Sequence, residues 1–205
     1  EYHIPDGVDL EVGGTVEDQG DAFGDLGTLL ILIVILVYIV MATQFESLKF
    51  PFIIMFTIPF AATGAFLALW MTSTPMSLIA LIGAIMLVGI VTKSGIVMVD
   101  YTNLLRERGY GINQAVIAAG KSRLRPVLMT SFTTILGMLP LAIGTGVGSE
   151  TWQPMGIAVI GGLTFSTLLT LFIIPALYSV FVNRSQRKEK EKLARLAAEH
   201  QASRH

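Results

Sequence analysis

Lys93 is the residue in this sequence whose type and placement most call for chemistry. It stands inside Met76–Tyr101, MSLIALIGAIMLVGIVTKSGIVMVDY, after 17 uncharged residues and before six more that lead to Asp100. A run this long and apolar has the length of a membrane-crossing helix, since about 20 residues at about 1.5 Å each cover the hydrocarbon core. An ammonium inside that core costs a few kcal/mol or more, so it needs an explanation. Two are open. The side chain can snorkel to the headgroups, because it lies slightly to one side of the run's midpoint. Alternatively it is a buried charge that pairs with a carboxylate on another helix and takes part in ion or proton movement. Gly89, one turn earlier, and the flanking Thr92 and Ser94 favour the second reading. Small and hydroxylated residues let helices approach closely, so this face is expected to meet protein rather than lipid.

The elements around that helix follow from composition. With 53% hydrophobic and 14% charged residues among 205, the chain reads as a membrane protein. It contains no cysteine, which excludes disulfides, thiolate metal sites and a thiol nucleophile. The three histidines (His3, His200, His205) sit in the terminal segments, and no G-x-S-x-G, H-E-x-x-H or phosphate-loop pattern occurs. Gly144-Thr-Gly-Val-Gly148 superficially looks like a phosphate cradle, but without a preceding strand or a following lysine it reads as a connector. Enzyme chemistry is therefore not expected. The nine methionines are scattered and read as lipid- and core-facing rather than as a metal path.

Five spans are expected, at 26–45, 51–71, 75–101, 126–143 and 154–182, giving an all-α membrane protein. Residues 1–25 hold eight of the 15 acidic residues and read as the end of a soluble domain leading into an acidic helix start. Asp21 and Asp25 there suit the positive end of the first helix's dipole. Pro59 should kink the second span and Gly64 should pack closely. Thr74 and Pro75 form a helix-start signature for the third. Ile112, Val116 and Ile117 mark a short amphipathic helix resting at the membrane surface before the fourth span. Residues 184–205 form a charged tail. The Lys and Arg residues collect after spans one, three and five, so the positive-inside rule puts those loops in the cytoplasm and the N-terminal segment outside.

Three stretches together resemble a known family: QFESLKFPFIIMFTIPFAATGAFLAL, GIVTKSGIVMVDYTNLLRERG and RLRPVLMTSFTTILGMLPLAIGTGVGSE. They are similar to the C-terminal transmembrane part of resistance-nodulation-division (RND) efflux pumps, most closely the hydrophobe/amphiphile multidrug branch. The resemblance runs from about Gly13 to Val182. It implies spans eight to twelve of a twelve-span protomer, with the last strip of a periplasmic porter domain ahead of them. Lys93 matches the family's span-ten lysine, which pairs with two adjacent aspartates on span four. Arg123 matches a functional arginine at the start of span eleven, and Thr130 a threonine of the same relay. These two are seven residues apart, hence on one helix face. On the residues alone, Arg125 reads as a positive-inside anchor. A lone threonine such as Thr130 more often bonds its own helix.

The resemblance further implies proton-driven drug export across a bacterial inner membrane and a homotrimer working with a periplasmic adaptor and an outer-membrane channel. It implies amphiphilic substrates and no cofactor, metal or nucleic acid. The family's aspartate pair is absent from every span here, as is its substrate pocket, so both are expected from other parts of the same transporter. The TKSGIVMVDY pattern favours the multidrug type over the metal-exporting branch. Another exporter of the same superfamily (a lipid, metal or protein-export relative) is the alternative among transporters, and a non-transporting membrane scaffold with a snorkelling Lys93 is the alternative from a different class.

Overall fold

The computed structural model describes the backbone of residues 15–144, 146 and 148–202, and the side chains of 18–144, 146 and 148–182. The expectations placed on residues 1–14, on Thr145 and Val147, and on the side chains of the charged tail lie outside these residues. The described chain is helical, with no strand among the described residues. Its elements are α1 (Thr15–Gln44), α2 (Lys49–Met55), α3 (Thr57–Met71), α4 (Leu78–Glu107), α5 (Ile112–Ile143) and α6 (Ser149–Ala202). Counting α2 and α3 together, five stretches are long and apolar enough to cross a membrane.

The second stretch is interrupted where its sequence dictates. Pro59 has no N–H to give the carbonyl of Met55, and its ring crowds that carbonyl. Accordingly α2 ends at Met55 and α3 resumes at Thr57. The start of α4 differs from expectation. Ser77, not Thr74, caps it, with extended backbone and a side chain that accepts from the Ala80 N–H at 3.3 Å. Pro75 stays outside the helix, in the turn that follows Ser73 (φ 52°).

The separate surface helix is also corrected. Residues 112–143 form one 32-residue helix that runs through Pro126 and Pro140. Of the expected surface face, Val116 is buried against α4 together with Ala115 and Ala119, while Ile117 is exposed. Gly109 (φ 90°) makes the turn before it, and Gly144 (φ 69°) closes it in the left-handed conformation that glycine adopts without penalty.

The helix α6 is the axis of the bundle, with α3, α4 and α5 laid against it. Glycines set the distance. A Cβ on Gly161 would fall 2.1 Å from the Ala68 Cβ, one on Gly162 would fall 2.2 Å from Leu87, and one on Gly64 would lie 2.4 Å from the Phe165 Cβ. Backbones therefore touch across α3–α6, the close approach that substitutes for a hydrophobic driving force between helices in lipid. By contrast α1 is peripheral: 6% of its most apolar stretch is buried, against 50% for that of α6.

Candidate functional site

Helix α4 carries two unlike stripes. Ala80, Gly83, Leu87, Val91, Gly95, Met98 and Thr102 recur every three or four residues and are buried. Met86, Gly89, Lys93, Asp100 and Leu104 follow the same period on the opposite side and are exposed. Lys93 is the sixteenth residue of the thirty in α4, so its stem starts at the helix's middle. Among the described residues it has no hydrogen-bond or ion-pair partner.

Two hollows flank the Lys93 side chain. One, of about 240 Å³, lies between α4 and α5 and is lined by Lys93, Ser94, Pro126, Thr130, Ser131 and Thr134. The other, of about 320 Å³, lies against α1 and is bounded by Leu36, Val40, Gly89, Thr92 and Ile96. The first is hydroxyl-rich and the second almost wholly apolar. Gly89 was expected to mark close helix contact. Within this chain its face is open, and a Cβ there would meet nothing within 4 Å. The close contacts of α4 fall instead on Gly83, against Met155, and on Gly95, against Ile54.

Thr130 shares the α4–α5 hollow with Lys93. Its hydroxyl donates to Val127 O at 2.9 Å and to Pro126 O at 3.1 Å, which leaves lone pairs facing outward. Arg123 lies elsewhere, two turns before Thr130 on α5. Its guanidinium carbon sits 4.4 Å from the ring centroid of Tyr101 on α4, a cation–π contact, and its Nε is buried without a hydrogen-bond partner. The structure thus brings Lys93 and Thr130 together and sets Arg123 apart at the basic end. Arg125 is exposed beside it.

Two polar arrangements were not anticipated from the sequence. Ser131 Oγ and Thr167 Oγ1 are 2.9 Å apart and buried between α5 and α6. Tyr178, 1% exposed on α6, donates its hydroxyl to Asn103 Oδ1 at 2.5 Å, while Arg106 Nη1 donates to the Tyr178 hydroxyl oxygen at 3.5 Å. The Tyr178 ring stacks on Phe50, with centroids 5.6 Å apart and planes 13° apart. An asparagine and a tyrosine within otherwise apolar helices were the available signal. Their pairing spans 75 residues of sequence and has no local signature.

An all-helical bundle with five membrane-length stretches, and a mid-helix lysine without a partner among the described residues, is the transmembrane part of a polytopic membrane protein. The chain belongs to the AcrB/AcrD/AcrF family, whose pattern matches residues 1–182. This bears out the resemblance to RND efflux pumps drawn from the sequence. Similar proteins include the swarming motility protein SwrC of Bacillus subtilis, 39% identical over 90% of this chain and 18% of that protein. The cobalt-zinc-cadmium resistance protein CzcA of Cupriavidus metallidurans is 40% identical over 85% of this chain and 16% of its own length. The multidrug resistance protein MdtC of Proteus mirabilis is 38% identical over 94% of this chain and 19% of its own. Among solved structures, a heavy metal efflux pump superposes with a TM-score of 0.74 at 30% identity, over 83% of this chain and 17% of that one. The chain therefore spans less than a fifth of the length of the relatives it matches.

Proposed function

We propose that this chain is part of a proton-motive-force-driven multidrug exporter of the bacterial inner membrane, a drug/proton antiporter to which it contributes the lysine of the proton relay. The observation that carries the proposal is Lys93 itself, a cation at the middle of α4, without a partner among the described residues and beside two hollows. A charged lysine in a low-dielectric interior needs a counter-ion or loses its proton. Asp100 is seven residues along the same rigid helix, about 10 Å away, and cannot reach it. The counter-ion is assigned to the N-terminal half of the same transporter, where the resemblance implies an aspartate pair. Protons that neutralise those carboxylates release Lys93, and the helices tilt to drive the external domain.

In this reading Thr130 supplies a lone pair to the site and Arg123, braced on Tyr101, acts at its cytoplasmic entrance. The basic loops face the cytoplasm and the N-terminal segment the periplasm. The working unit is a homotrimer with a periplasmic adaptor and an outer-membrane channel, exporting amphiphilic molecules. A second reading, export of heavy-metal cations, is favoured by the similarity to CzcA and to the heavy metal efflux pump. A susceptibility panel of amphiphilic drugs against divalent metal salts separates the two.

The relay is tested by substitution in the full-length transporter, expressed in cells lacking their own efflux pumps. Lys93→Ala should abolish resistance at unchanged protein level. Lys93→Arg should also fail, because a planar fork does not reproduce a compact ammonium in a tight interhelical site. Full resistance with the arginine variant would instead support a snorkelling lysine and a scaffold role.

A further inference from the structure

Ser131 and Thr167 are 5% and 8% exposed, buried between α5 and α6. Burying two hydroxyls there is costly unless they bond each other, which they do at 2.9 Å. Ser131 also lines the hollow that holds Lys93. We propose that Ser131 is a further positioning residue of the relay, its hydroxyl held by Thr167 of α6 and turned toward the α4–α5 hollow to accept from the Lys93 ammonium when that ammonium is unpaired. The inference rests on the relay reading above.

The contrast with Thr130 singles out Ser131. Thr130 commits its proton to carbonyls of its own helix, so it offers the hollow lone pairs alone. In the Ser131–Thr167 pair either oxygen can be the donor. A hydroxyl carries one proton and two lone pairs, so rotation exchanges what Ser131 shows the hollow. An unpaired ammonium favours Ser131 donating to Thr167, with its lone pairs toward Lys93. A carboxylate entering the hollow favours the reverse, with Thr167 donating to Ser131 and Ser131 donating to the carboxylate. The charge state of the hollow is thereby written into a hydrogen bond with α6, the helix at the centre of the bundle.

The two states do not depend on Ser131 equally. An ammonium stripped of its carboxylate relies on the hydroxyl more than one held in an ion pair. Removing Ser131 therefore opposes protonation of the carboxylates and moves transport to lower pH. Lys93 is the charged group that lines the hollow among the described residues. Asp100 and Tyr101 on α4 and Arg123 and Arg125 on α5 lie toward the basic end. From α1 the flanking hollow receives Leu36, Val37, Val40 and Met41, and from α6 Ser131 receives Thr167.

The test uses the full-length transporter in liposomes, with substrate-coupled proton flux followed against pH. Ser131→Ala and Thr167→Val, the latter keeping shape and losing the hydroxyl, should each slow turnover roughly fivefold at unchanged KM, as expected for one hydrogen bond. Both should shift the half-maximal pH downward, and the double variant should be no worse than Ser131→Ala. Thr167→Ser, which keeps the hydroxyl and loses a methyl, should behave as the parent. Equal damage from Thr167→Ser and Thr167→Val, or a pH profile unmoved by Ser131→Ala, would overturn the inference and leave the pair as packing. Lys93→Ala is the reference. If it kills flux while Ser131→Ala matches the parent, the Ser131 inference alone falls; if Lys93→Ala transports normally, the relay reading falls with it.

Discussion

The two stripes of α4 are built from the same helix and differ in what they meet. On the buried stripe, Leu87, Val91 and Gly95 are buried, and a Cβ on Gly95 would fall 2.8 Å from the Ile54 side chain. On the exposed stripe, a Cβ on Gly89 would meet nothing within 4 Å and Lys93 has no partner among the described residues. A glycine in a membrane helix is thus not by itself a contact; what it faces decides. The first stripe is finished within this chain. The second has the composition of an interface, with a small residue, a cation and flanking hydroxyls, and it is exposed among the described residues.

On the packed side of the bundle, the strongest blow should come from Gly161→Leu, at the α3–α6 contact. Its Cβ would fall 2.1 Å from Ala68 with the Gly64 carbonyl at 2.8 Å, so α3 and α6 must separate. Overpacking of this kind costs about 1–3 kcal/mol or more, and a lower unfolding midpoint in detergent should register it. Tyr178→Phe comes next. It keeps the stack on Phe50 and deletes the hydroxyl shared with Asn103 and Arg106, a loss of about 1 kcal/mol. The same thermal measurement checks it, and a loss as large as that of Gly161→Leu would mean the clasp matters more than the glycine contact.

Gly89→Leu should do least to the stability of the purified chain, because there is open space around it. In the full-length exporter the same substitution should reduce export, because a leucine would stand where the other half seats. Unchanged export would show that lipid, not protein, covers this stripe.

Much of this architecture was legible in the sequence because apolar length is a local property. The spans and the close contact at Gly64 needed no knowledge of neighbours. Where the reading slipped, a local signal met a tertiary override. Thr74-Pro75 is a good helix start, yet Ser77 supplies the cap. Pro126 looked like a boundary, but a helix packed along α4 and α6 tolerates one lost hydrogen bond and runs on from Ile112. Lys93 was conspicuous because charge in an apolar run is rare. Ser131 was not, because Thr130 and Ser131 are adjacent hydroxyls, and which one turns to α6 depends on where α6 lies. Tyr178 and Asn103 pair across two helices, and no spacing rule reaches that far.

The central claim is that Lys93 takes its counter-charge from outside this chain, and fragment complementation tests it most directly. Residues 1–205 expressed alone should insert in the membrane and confer no export. Co-expression with the remainder of the transporter should restore resistance when the remainder's intramembrane carboxylates are intact, and should fail when they are replaced by the corresponding amides. Export by residues 1–205 alone, or complementation indifferent to those carboxylates, would contradict the account.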